Sequence, residues 1–197
     1  MSGTVIIDSG GANLASLQFA FERLGERVRV SANADEIAAA ERVVLPGVGS
    51  AADAMQRLQR SGLAGLLGTL TQPLLGICLG LQLLFEYSAE GDAPCLGIIP
   101  GVVRRLEART ARPVPHMGWN RLATMRPDPL LAGLGTEAYF YFVHSYAVAV
   151  GTPTLAAVDY GESLSAVVRH NNFWGVQFHP QRSAASGARL LQNFLTI

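Results

Sequence analysis

The 197-residue chain contains no lysine: all 15 of its Lys+Arg side chains are arginine. That removes the phosphate-loop amine, Schiff-base formation and a lysine general base. Cysteine is nearly as scarce, with Cys78 and Cys95 alone, too few for a disulfide framework. No apolar run reaches the roughly 18 residues that a membrane helix needs, and the opening MSGTVIIDSG has neither a basic leader nor a long apolar core. Charge of either sign is in balance, with a formal net charge of zero and a pI near 6.9. Such a chain has no long-range field to gather nucleic acid or anionic lipid. These shortages predict a cytoplasmic protein with free thiols and no nucleic-acid or membrane partner.

Apolar material is plentiful. Hydrophobic residues make up 49% of the chain and charged ones 15%, with a mean hydropathy of +0.26. The length suits one domain over residues 1–197, and the apolar surplus hints at a buried partner surface.

Short β-branched runs alternate with helical patterns in the first half. Thr4 to Ile7 reads as a strand, and Leu14, Leu17, Phe21 and Leu24 recur at helical spacing up to Gly25. Asn13 suits the N-cap of that helix. Strands are expected at Val28–Val30, Arg42–Leu45 and Leu74–Ile77, with helices over Ala34–Ala40 and Leu79–Tyr87. From about Gly97 the texture turns to extended segments and turns, with Asn171-Asn172 as a hairpin turn and Ser183 capping a last helix. The expectation is an α/β protein: a mostly parallel central sheet flanked by helices, with an added antiparallel β region.

The chemistry centres on LGICLGLQ. Gly76, Cys78 and Gly80 form a G-x-C-x-G elbow between strand and helix. Glycines are wanted where backbone must approach backbone, and the cysteine is left at a helix N-terminus, where N–H groups favour thiolate. A low thiol pKa is therefore expected for Cys78, whereas Cys95 in DAPCLGI has no such surroundings and reads as a buried hydrophobe. Of the four histidines, His170 sits at the hairpin turn and is expected to be solvated, and His116 and His144 read as structural hydrogen-bonders. His179 ends the run FWGVQF and is broken off by Pro180, which makes it the candidate base. The N–H of Leu79 comes with the elbow as an oxyanion donor. PGVG at Pro46 to Gly49 is either the source of the second donor or an ordinary turn.

LPGVGS, GICLGLQLLFEYSAEG, VPHMGWN, YFVHSYA and GVQFHP, in this order, resemble the glutaminase subunits of imidazole glycerol phosphate synthase, within the class I (triad) glutamine amidotransferases. The likeness runs over essentially the whole chain. It implies a flavodoxin-like architecture forming one type 1 glutamine amidotransferase domain, without cofactor or metal. In it Cys78 attacks glutamine, His179 moves the proton, and Gly49 lies in the oxyanion strand. Gln82, with backbone around Gly47, Ser145 and Tyr146, would hold the substrate. A (β/α)8 cyclase would be the partner in a heterodimer, receiving ammonia for histidine biosynthesis and facing Asn13, Met117, Trp119 and Asn120. Trp119 read without the resemblance could equally be a core tryptophan.

One departure stands out. The family follows its histidine with Pro and Glu, the acid of the triad, whereas here Gln181 follows His179 and Pro180. An amide favours the wrong histidine tautomer and cannot balance an imidazolium. Because a thiolate–imidazolium resting pair would soften that loss, a weakened site is expected. Three alternatives remain: a paralogous glutaminase serving another pathway, a non-catalytic partner-binding subunit, and an α/β-hydrolase with Asp159 as its acid.

Overall fold

The computed structural model describes residues 3–10, 14–110 and 112–197, so Asn13 lies outside the described residues. In chain order come β1 (Thr4–Ile7), α1 (Leu14–Glu22), β2 (Val28–Ser31), α2 (Ala34–Ala38), β3 (Arg42–Gly47), α3 (Ala51–Arg60), α4 (Leu63–Leu67), β4 (Leu74–Cys78) and α5 (Leu79–Leu83). The second half is strand-rich: β5 (Phe85–Ser88), β6 (Ala93–Pro94), β7 (Ile99–Arg105), β8 (His116–Arg121), β9 (Thr124–Met125), β10 (Tyr139–His144), β11 (Tyr146–Ala147), β12 (Thr154–Asp159), β13 (Ser163–His170) and β14 (Phe173–Val176), closed by α6 (Ala184–Phe194).

The central sheet has the order β2-β1-β3-β4-β14-β13-β12-β9. Pairing is parallel from β2 across to β14 and antiparallel beyond it, which is the mixed α/β sheet expected from the alternation. Side chains on β1, β3, β4 and β14 are buried on both faces, as helices on each side require, while the edge strand β2 exposes Arg29. Ile6, Val44 and Leu75 pack with Leu17 and Phe21 of α1 and Leu190 and Phe194 of α6. Val5, Ile7, Val43 and Leu45 face the other way, onto Met55, Leu58, Leu63 and Leu67 of α3 and α4. Two smaller sheets, β10-β8 and β11-β7-β5-β6, form the added β region.

Local chemistry explains the departures. The helix expected over Leu79–Tyr87 stops at Leu83, because the Leu84 carbonyl accepts from the N–H groups of Ile98 and Ile99 (2.9 and 2.8 Å) and Phe85 pairs with Ile99. Phe85 and Ser88 turn inward in β5, so an apolar spacing that also fits a helix serves a strand. Helices α3 and α4 are covered by none of the expected elements; α3 starts from Ser50, whose hydroxyl accepts from Asp53 N–H, and α4 from Gly62 at φ 74. Ser183 precedes α6 but makes no side-chain cap; its hydroxyl is engaged elsewhere. The hairpin turn is as expected, with Asn171 at φ 53 and His170 paired to Phe173.

The tightest contact lies between β3 and α5. A Cβ built on Gly80 would stand 1.8 Å from the Leu45 carbonyl oxygen, which is backbone and cannot swing aside. Gly80→Ala is therefore expected to cost about 4 kcal/mol or more, read as a loss of soluble protein or a large fall in the urea midpoint. An unchanged midpoint would show that β3 and α5 are not in backbone contact.

Candidate functional site

The carboxyl ends of β3, β4 and β14 meet at the rim of the sheet, the usual place for a site in an open α/β fold. A cavity of about 290 Å³ opens there. Cys78, Leu79 and Gln82 line it from the elbow and α5, Gly47 and Gly49 from the loop after β3, Ser145 and Tyr146 from the turn after β10, and His179 and Gln181 from the segment after β14. Every site residue expected for catalysis or substrate binding thus reaches one cavity.

Cys78 is the turning point between β4 and α5. Its backbone sits at φ 55, ψ −110, a left-handed conformation that an L-residue adopts only when its surroundings impose it. The imposing contacts are Gly80 against Leu45 and Gly47 against α5, where a Cβ on Gly47 would come within 2.8 Å of Gly80 N. The Leu79 N–H donates toward Sγ. Gln177, on the run out of β14 and fully buried, donates to Sγ from Nε2 (3.8 Å), while the thiol donates to the Val143 carbonyl (3.9 Å).

That thiol is not the low-pKa group expected. Burial pushes Cys78 up to about 12, and Glu90 adds to the rise, against weaker opposing help from the Leu79 N–H and Gln177. Burial likewise depresses His179 to about 4, assisted by the neighbouring Arg182. A helix only one turn and a half long, Leu79–Leu83, offers too little field to offset removal from water. The cavity therefore holds a neutral thiol and a neutral imidazole, not an ion pair.

His179 is fixed by its backbone. Its N–H donates to the Tyr141 carbonyl (2.9 Å), and the Ser183 hydroxyl donates to the His179 carbonyl (2.7 Å) while accepting from Tyr141 N–H (2.9 Å). Ser183 thus ties His179 to β10. Gln181 places Nε2 3.3 Å from His179 Nδ1, and its Oε1 is buried without a hydrogen-bond partner. Donation from the amide leaves the ring proton on Nε2, the tautomer that cannot accept from a thiol.

Three residues that act on the site were not singled out in the sequence, Gln177 from behind Cys78 and Arg182 and Glu90 from the cavity wall. Gln177 lies within the quoted GVQFHP but carries no motif signal of its own. Arg182 is the cavity's cation, its guanidinium set over the Tyr141 ring. Glu90, in the turn between β5 and β6, is the one acid lining it among the described residues; its carboxylate accepts from Ala51 N–H (3.2 Å), and burial raises its pKa. Asp159 is exposed at the end of β12, bonded to Gly161 N–H and Arg112, and does not line the cavity, which leaves the hydrolase arrangement without its acid. Cys95 is half-buried outside it. Met117 and Trp119 are 66% and 53% exposed on β8, so Trp119 is not a core residue; Asn120 is half-buried beside them.

The model of the class I glutamine amidotransferase family matches residues 5–197. The chain belongs to that family. It is 52% identical over 195 residues to imidazole glycerol phosphate synthase subunit HisH of Xanthomonas oryzae pv. oryzae (strain MAFF 311018), covering 99% of this chain and 98% of that one. The HisH subunit of Xylella fastidiosa (strain Temecula1) is 53% identical over the same shares. Within the amidotransferases, then, this is a chain of the HisH family. Two solved structures share the fold: a glutamine amidotransferase with TM-score 0.76 at 19% identity, covering 99% and 98% of the two chains, and PurLQS from Thermotoga maritima with TM-score 0.72 at 16% identity, covering 100% and 99%.

A thiol held near 12 dictates a test. Alkylation of Cys78 by iodoacetamide, followed by mass spectrometry to separate it from Cys95, which burial holds at about 11, is expected to quicken about tenfold per pH unit through the neutral range without levelling. A plateau reached by about pH 8 would mean that the thiolate is already formed.

Proposed function

We propose that this chain hydrolyses glutamine to glutamate and ammonia, and passes the ammonia to a separate (β/α)8 cyclase subunit that makes imidazole glycerol phosphate in histidine biosynthesis. The observation that carries the reading is the convergence of a strained elbow cysteine and a histidine from a distant strand on one amino-acid-sized cavity. Membership of the HisH family supplies the pathway.

The site's own groups divide the work. Cys78 Sγ attacks the glutamine carboxamide carbon, with the Leu79 N–H beside it to receive the developing oxyanion and the Gly47–Gly49 segment as source of a second donor. With the Gln181 amide turned so that its oxygen accepts from Nδ1–H, His179 takes the thiol proton on Nε2 and returns it to the leaving nitrogen, so ammonia departs and a glutamyl thioester remains. Water then releases glutamate and restores the thiol. Glu90 complements the α-ammonium of the substrate by charge, and Gln82 with the Ser145 and Tyr146 backbone holds the rest.

Because thiol and imidazole start neutral, the proton transfer creates two charges in a site poor in water. A glutamate at position 181 would offset the imidazolium; Gln181 does not. The result is a weakened glutaminase that depends on whatever drives the transfer. Docking of the cyclase is the natural source, and the exposed apolar face of Met117 and Trp119, with Tyr139 beside them on β10 at 48% exposed, is where we place it.

Glutamate release measured with the cyclase and its nucleotide bound decides the matter. The native complex is expected to turn over slowly, Cys78→Ala not at all, and Gln181→Glu faster by about 10² or more. Glu90→Gln should raise KM for glutamine about 100-fold with a smaller change in kcat. A Gln181→Glu complex no faster than the native one would overturn the role given to residue 181, and turnover by Cys78→Ala would overturn the mechanism.

A further inference from the structure

Two buried histidines lie outside the proposed chemistry yet join the exposed strand β8 to the cavity. His144 Nδ1 stands 2.8 Å from the Tyr146 carbonyl, which can only accept, so Nδ1 carries the hydrogen and Nε2 of the neutral ring is bare. His116 Nδ1 donates to that Nε2 (3.0 Å), which leaves His116 Nε2 to accept from Asn120 Nδ2 (3.3 Å). Asn120 is itself oriented, since Nδ2 also donates to the Asp159 carbonyl (3.1 Å) and Oδ1 accepts from Arg121 N–H (2.8 Å). One arrangement of hydrogens satisfies the whole set.

The line continues past the histidines. The Tyr146 carbonyl also accepts from Gln82 Nε2 (2.8 Å), which donates in turn to Gln177 Oε1 (3.0 Å), and Gln177 donates to Cys78 Sγ. Stacking holds the His116 ring flat, between Phe142 at 4.8 Å and Tyr160 at 3.9 Å from its centroid. Desolvation keeps both rings uncharged, with His116 held down to about 3 and His144 to about 4. A pair that never charges at neutral pH is of no use as acid or base, but it can fix direction.

We propose that His116 and His144 are positioning residues: they orient the Tyr146 carbonyl, and through it Gln82 and Gln177, so that the setting of Asn120 on β8 is handed to the substrate cavity by hydrogen bonds. What the cavity holds is taken from the glutaminase reading. The relay itself is a property of the fold.

Two readouts separate the claims. In the full-length chain, imidazole ¹⁵N spectra should show both rings as neutral Nδ1–H tautomers, with a ¹⁵N–¹⁵N coupling between His116 Nδ1 and His144 Nε2. An Nε2–H tautomer on either ring, or the absence of that coupling, would overturn the relay whether or not the protein turns over glutamine. In the complex with the cyclase, His116→Phe keeps the stacked ring and removes its hydrogen bonds. KM for glutamine is expected to rise three- to tenfold with kcat changed by less than about twofold, and His116→Asn, whose amide can donate to His144 Nε2, should recover most of the loss. A variant that loses only thermal stability, with KM unmoved, would make the pair structural and refute the proposal. Should the native complex release no glutamate, the functional reading fails, and the ¹⁵N spectra decide the relay alone.

Discussion

The approach of α5 to β3, backbone against backbone, is the contact on which the site depends. Leu45 O and Gly80 stand so near that no side-chain atom fits between them, and Gly47 meets the same helix one step further along. Helix and strand can sit this close only if the chain turns abruptly between β4 and α5, and Cys78 absorbs that turn in a left-handed conformation. The strain is local, while the packing that sustains it is spread over both core clusters. From the turn follow the position of Sγ in the cavity, the aim of the Leu79 N–H and the nearness of the Gly47–Gly49 segment.

Burial is the second constraint, and it pulls against the first. Geometry delivers a nucleophile and a histidine to one cavity, but the same enclosure strips water from both, so each is held in its neutral form. In a wet site a helix N-terminus and a nearby imidazole could suffice to ionise a thiol. Here the opposing groups are one short helix and the side chain of Gln177, and Glu90 works the other way. An enclosed neutral pair is safe from stray alkylation and oxidation, which follow thiolate character. It is also a pair in which a bound substrate or a docked partner has large leverage, because small gains in solvation or counter-charge act on groups far from balance.

Much of this was legible in the residues. Alternating strands and helices announced the parallel sheet, the elbow motif located Cys78, and His179, closing the run FWGVQF before Pro180, was separable from the other histidines by position alone. What the residues hid was tertiary. Leu79–Tyr87 has spacing that fits helix, and only the partners β6 and β7 make Phe85–Ser88 a strand. Ser183 has the right type and place for a cap, yet its hydroxyl serves Tyr141 and His179, contacts that no local pattern encodes. Glu90 carries no signal in the sequence, because a lone acid in a turn looks like any solvated loop residue until the fold brings it to the cavity of Cys78. The thiol pKa is hidden for the same reason: a helix N-terminus can be read from a motif, but the depth at which it is buried cannot.

Gln181 gathers these strands. An acid at this place would accept from Nδ1–H, leave Nε2 bare toward the thiol, and carry the charge that an imidazolium needs. The amide instead donates to Nδ1, and its own oxygen is buried with no partner. Turning the amide over would let that oxygen accept from the ring, restoring the tautomer but not the charge. Tautomer and charge are thus separate deficits with separate remedies: the first needs only rotation about one bond, the second a change of residue or a counter-charge brought from outside. Arg182 next in sequence makes the second deficit worse, since its positive charge already weighs against protonating His179. An acidic group brought against Arg182 at the cavity would lift that weight, so the protonation of His179 answers to the charge of Arg182 as well as to the backbone that fixes its place.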